Sequence, residues 1–225
     1  AALEFADKLI ATNPTYARAN PQVAERLKQI QGQNRNYLAH EYFNRDWLPM
    51  SFAKMAEWLT PAKLNFACSA NYLDHIDAVN LSAEQQELLG TLPDPLFRQT
   101  VRDFCVNQQF RKDYWVKGAL QLNPIERLEL LRAERVILIQ PRAKVSLEVA
   151  GNLGKATMQE SVYAPILDTL ADHQPKTLGE IEEALNGKVA FGQIAQAVLV
   201  LASGGNIASV QPEEAIQNVQ PACAR

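Results

Sequence analysis

The chain has 225 residues, a formal charge of −3 and 47% hydrophobic residues, enough for one large domain or two small ones to bury a core unaided. With 22 Lys and Arg against 25 Asp and Glu there is no basic field to gather phosphates, and no apolar run approaches the ~20 residues that span a bilayer, so neither nucleic acid nor membrane is an expected partner. Cys68, Cys105 and Cys223 contain no C-x-x-C pair and leave one over, which suits a reducing cytoplasm better than disulfides; they read as small core hydrophobes.

Helical periodicity begins with the first residues, Leu3, Phe5, Ala6, Leu9 and Ile10 sharing a face up to Thr12-Asn13-Pro14, so no signal peptide is expected. The chain opens without Met and closes over Gln220 to Arg225 without a cap, as an excerpt of a longer polypeptide would. Asn20 as cap and Pro21 at the first position predict a second helix with Val23, Leu27 and Ile30 inside and Gly32 as its stop. Residues 35–44 and 51–59 read as two more, the latter turning Phe52, Met55, Ala56 and Leu59 inward.

At Lys63 to Ala70 the period changes, and alternating Leu64, Phe66 and Cys68 predict a short strand. A capping box at Ser82 to Gln85, Asp94-Pro95 and Asn123-Pro124 then open three helices. Arg135 to Gln140 reads as a strand, and 144–150 with 155–159 as a hairpin turning at Asn152 to Gly154. From Glu160 onward the charges are eight acidic against three basic, Arg225 included, a net of −5. Helices are expected over 161–171, from Thr177 and over 190–202, followed by a strand at Ile207 to Val210: three helices and a β-wing, a winged-helix pattern. Relatives of that pattern bind DNA, but an acidic surface repels the duplex.

The polar and aromatic run Tyr37 to Pro49 holds more side-chain chemistry than a solvated helix needs. His40-Glu41-Tyr42-Phe43-Asn44 begins like the zinc motif H-E-x-x-H, but Asn44 stands where the second imidazole must be. Two readings stay open: a packed helix whose His40 and Glu41 satisfy buried groups, or a surface at the mouth of a neighbouring catalytic domain. No G-x-S-x-G elbow is present, and Gly151 to Lys155 lacks the spacing of a phosphate loop, so a hairpin turn suits it better. No G-x-G loop follows a first strand, so no cofactor site is expected in this segment.

A second cluster runs from Arg98 through Arg102-Asp103 to Arg111-Lys112-Asp113. Arg98 and Arg102, at i, i+4 spacing, either join an ion-pair network with Asp103 toward Lys112-Asp113 or the wing, or make an electropositive spot for a carboxylate or another domain's acidic loop. Tyr72, Tyr114 and Trp115 read as core.

In order, the His40-Glu41-Tyr42 helix, Asp46-Trp47 with Pro49, Ala62-Lys63-Leu64 leading to Ser69-Ala70, Asp74, and Phe110 to Asp113 resemble the methyltransferase regulatory domain of bacterial S-adenosylmethionine-dependent methyltransferases. Residues from about 120 to 211 are similar to the winged-helix region that follows it in bacterial protein lysine methyltransferases. The resemblance implies a cytoplasmic, mostly α-helical α+β protein with a helical regulatory domain over 1–119 and a hairpin plus winged-helix-like domain over 120–225. It implies no catalytic residue and no cofactor in this segment, S-adenosylmethionine being bound by a Rossmann-like catalytic domain of the same polypeptide. The segment's role would be to regulate that domain, recognise its protein substrate or hold a homodimer together. His40, Glu41, Tyr42, Trp47, Arg102, Arg111 and Asp113 are the residues expected at a substrate or domain interface; the alternative is a winged-helix module that binds DNA or protein.

Overall fold

A computed structural model describes residues 2–223 of the chain; the expected helical start at Ala1 and the uncapped end at Ala224-Arg225 lie outside them. The fold is α+β and mostly helical, and the chain divides into two compact units, residues 1–50 and 51–225.

The first unit is four helices: α1 (Ala2–Ala11), α2 (Thr15–Ala19), α3 (Gln22–Gln31) and α4 (Arg35–Tyr42). Pro21, not Asn20, occupies the cap position of α3; the Asn20 amide instead donates to the Tyr16 carbonyl at 3.0 Å and closes the unforeseen α2. Asn34 caps α4 by accepting from the Asn36 and Tyr37 N–H groups, satisfying donors that the first turn leaves free. Among the described residues of this unit, only the Leu38 side chain is buried.

In the second unit, α5 (Phe52–Leu59) is capped by the Ser51 hydroxyl and followed by a 3-10 turn that Lys63, at φ 59°, redirects into β1 (Leu64–Ser69). A 3-10 turn at Tyr72–His75 leads to α6 (Asp77–Asn80), α7 (Ala83–Thr91), α8 (Pro95–Cys105) and β2 (Asp113–Lys117). β1 and β2 pair antiparallel with Phe66 opposite Trp115, and a bulge between Phe66 and Cys68 shifts the register so that Ser69 meets Asp113. The alternation of Leu64, Phe66 and Cys68 marks β1 correctly, whereas β2, with Tyr114 and Trp115, is a strand the sequence reading did not place.

The remainder runs α9 (Pro124–Ala133), β3 (Arg135–Leu138), β4 (Glu148–Gly151), β5 (Gly154–Thr157), α10 (Glu160–Thr169), β6 (Lys176–Thr177), α11 (Leu178–Leu185), α12 (Phe191–Ser203), β7 (Ile207–Val210) and α13 (Glu213–Cys223). Capping boxes at Ser82, Asn123 and Thr177 open α7, α9 and α11. One apolar core joins α10, α11, α12, β3 and β7, with Ile166, Ile181, Ile194 and Leu201 sealed from solvent. After the third helix comes the expected strand, β7, and then α13. The sheet is completed by β3 from upstream, in the order β6-β3-β7.

Segment 72–80 belongs to that core. Ile76 is buried in it, and Leu73 and Val79 pack against it. The Asn80 side chain, 3% exposed, donates to the Leu73 and Ile76 carbonyls and accepts from the backbone N–H and side-chain amide of Asn152 at the hairpin turn. Cys68 and Cys105 are half-buried and Cys223 is exposed, so the last is not the core hydrophobe it was read to be.

Candidate functional site

The second polar cluster closes around Arg111. Its Nε donates to Asp113 Oδ2 at 2.7 Å and its Nη2 to Asp113 Oδ1 at 3.1 Å, Nη1 donates to Asp103, and Nη2 also reaches Gln99 at 3.1 Å. The flat guanidinium lies over the Phe52 ring, 4.4 Å from its centre, and 5.6 Å from that of Phe66. Phe52 meets Phe66 edge-on at 5.0 Å and stacks on Trp115 at 5.6 Å. Four elements converge for this: the first turn of α5, both strands, and the inward face of α8.

Electrostatics agree with the geometry. Burial disfavours the Arg111 charge, but the hydrogen bonds and proximity of Asp113 and Asp103 outweigh it and hold the guanidinium above its usual value. Burial pushes the Asp103 carboxyl up, and Arg111 offsets only part of the push. Of the two readings of this cluster, the ion-pair network is the one built, and it runs Asp103 to Arg111 to Asp113, without Lys112 or any wing.

The arginines of α8 are engaged separately. Arg98 donates through Nε and Nη2 to the Leu92 carbonyl, and Arg102 donates to the Asp74 carbonyl at 2.7 Å and to Asp77 at 3.2 Å. Neither guanidinium stands free as the electropositive spot required. Beside them lies a cleft of about 190 Å3, lined by Ser69, Asp74, His75, Gln99, Arg102 and Asp103 among others. Ser69 Oγ donates to Asp74 Oδ2 at 2.6 Å, and His75 Nε2 lies 2.9 Å from the Ser69 carbonyl. The imidazole therefore addresses a backbone carbonyl, and the hydroxyl pairs with the Asp74 carboxylate and not with His75.

His40, Glu41, Tyr42 and Trp47 belong to the first unit, Arg102, Arg111 and Asp113 to the second. The His40 and Glu41 side chains are exposed with no hydrogen-bond partner among the described residues, so they satisfy no buried group. Tyr42 accepts from Arg26 Nη2 at 3.2 Å and meets Trp47, half exposed, edge-on at 6.1 Å. Phe52, Phe66 and Gln99 were not among the expected site residues; Phe66 on an alternating strand and Phe52 on a helical face were read only as core. Trp115 packs as expected, while Tyr72 and Tyr114 are 42% and 59% exposed and are not core.

Among the described residues no group of three or more His, Cys, Asp or Glu side chains is arranged to hold a metal ion, and no helix is long and apolar enough to cross a membrane.

The Arg111 cluster lies within the span that is similar to known proteins. Residues 34–117 match the model of a predicted methyltransferase regulatory domain. Over 205 residues the chain is 40% identical to "Uncharacterized protein sll1526" of Synechocystis, covering 91% of this chain and 40% of that protein. Two structures of PKMT2 from Rickettsia typhi, one in complex with AdoHcy, share its fold at TM-scores of 0.56 and 0.55, with 17% and 18% identity over 93% of this chain and 45% and 44% of theirs. The chain thus spans less than half the length of these relatives, and its residues 34–117 are similar to the methyltransferase regulatory domain.

Proposed function

We propose that this chain is the non-catalytic regulatory and substrate-recognition part of an S-adenosylmethionine-dependent methyltransferase that acts on protein lysine. The observation that supports it best is the internal closure of the Arg111 cluster within the matched span: each guanidinium nitrogen already has an oxygen partner. Such a cluster makes a rigid platform and leaves no group poised to react. In this reading the methyl donor is bound by a catalytic domain of the same polypeptide. The exposed face with His40, Glu41, Tyr42 and Trp47 abuts that domain, while Arg102, Arg111 and Asp113 hold the platform in shape. The 120–225 portion is read as a winged-helix-like interaction module whose middle strand is supplied from upstream.

A module of this kind changes methyl transfer only by contacting the substrate-bound enzyme with a different free energy from the free enzyme, or by orienting the acceptor lysine. The test is His40→Ala and Glu41→Ala in the whole polypeptide: methylation should fall while the melting temperature stays. Parallel losses of both would reduce these residues to structural ones. Calorimetry of the 225-residue chain with S-adenosylmethionine should give no binding heat, and a tightly held donor would overturn the reading.

A further inference from the structure

Helix α12 carries no charged residue and is apolar on more than one side. Ile194, Ala197, Val200 and Leu201 fill the core, whereas Ala195, Val198, Leu199 and Ala202 remain half-buried. These four follow i, i+3, i+4, i+7 spacing and so form a second apolar stripe, beside the exposed Gln193 and Gln196. Here the stripe is one wall of a cleft of about 650 Å3, faced by Tyr72 and Ile76 and by Leu131 of α9. That volume lies within the ~300–1,000 Å3 of ligand-holding sites.

The charged lining of the cleft is acidic. Asp77 and Glu134 line it, and no Lys or Arg does. Asp77 touches Arg102 yet keeps 55% of its side chain exposed, and the exposed Glu134 makes no ion pair among the described residues. We propose that this cleft docks an apolar segment of a partner protein that carries a Lys or Arg beside its apolar anchor. The stripe, ~10 Å long at 1.5 Å per residue, offers more than one seat for aliphatic side chains. Glu134, with Asp77 beside its Arg102 partner, selects a cation next to it and disfavours both nucleic acid and a second copy of this net-negative chain. The inference goes beyond the proposed function and does not require methylation.

Fluorescence anisotropy with the 225-residue chain tests it, using a labelled short peptide of leucines and lysines and matched probes with glutamate for lysine or serine for leucine. The leucine–lysine probe should bind, each matched probe at least about tenfold more weakly. Ala195→Leu, which fills the cleft, and Glu134→Lys, which reverses its rim, should each weaken that binding by about tenfold with unchanged thermal melts. If Ala195→Leu fails to fold, Glu134→Lys at its exposed position decides alone. Equal binding of all probes, no binding of the leucine–lysine probe, indifference to Glu134→Lys, or binding of octylamine without the peptide would each overturn the proposal. None of these would bear on the methyltransferase reading, which stands or falls on the His40 and Glu41 assays.

Discussion

Arg111 and Asp113, two residues apart, meet fork to fork at the start of a strand, Nε to Oδ2 at 2.7 Å and Nη2 to Oδ1 at 3.1 Å, with side chains only 19% and 7% exposed. Replacing Arg111 by Ala strands two carboxylates in a half-buried site, and a loss of ~3–5 kcal/mol is expected. Arg111→Lys keeps the charge but neither forks onto Asp113 nor lies flat on Phe52, so its urea midpoint should fall between the wild type and Arg111→Ala. A Lys variant as stable as the wild type would show that charge alone suffices.

At the hairpin turn, a Cβ on Gly151 would stand 2.2 Å from the Val79 carbonyl oxygen and 2.9 Å from its carbon. Backbone has to move to admit it, so Gly151→Ala should lose ~1–3 kcal/mol. Faster hydrogen exchange at Leu153, whose N–H donates to the Val79 carbonyl at 3.2 Å, would locate the damage.

Asn80→Ala removes the amide that ties segment 72–80 to the hairpin and leaves the Leu73 carbonyl and the Asn152 N–H without it. A loss of ~1–3 kcal/mol is expected in denaturant melts. Combined with Asn152→Ala the two losses should fall short of additive, because both break the same contact; strict additivity would separate the two residues.

Asp103 and Glu180 respond to pH with opposite signs. Burial raises the Asp103 pKa in the folded chain, so the folded state binds its proton more tightly than the unfolded one. Between the ordinary aspartate range and the raised value, Asp103 therefore makes stability fall as pH rises. The Glu180 carboxylate accepts from the Thr177 N–H at 2.6 Å and from its hydroxyl, which lower its pKa, so its contribution is present above the ordinary glutamate range and is lost as pH falls through the lowered value. Urea melts across acidic pH should show the slope of Asp103→Asn more positive than that of the wild type, and the slope of Glu180→Gln less positive. Parallel curves would show that neither carboxyl sets the pH dependence.

Local chemistry made most elements legible. Ser82, Asn123 and Thr177 with their partners three residues on mark helix starts because a capping box satisfies orphan backbone donors within one turn, and the same short reach lets Asn152 to Gly154 announce a hairpin. β2 stayed hidden because its pairing with β1 spans more than forty residues of separation and its residues alternate weakly. α2 and α13 are short or polar segments whose periodicity does not stand out from loop composition.

The sequence by itself determined the helical character, the caps, the acidic balance and the order of motifs that the regulatory-domain match bears out over residues 34–117. Only the tertiary structure decided that Arg111 serves Asp103 and Asp113, that Phe52 and Phe66 bed its guanidinium, that β3 stands between β6 and β7 in one sheet, and that segment 72–80 joins the C-terminal core. Caps and turns act over a few residues and are written in local order. Ion pairs and cores depend on which distant side chains the fold brings within a few ångströms, and spacing along the chain does not encode that distance.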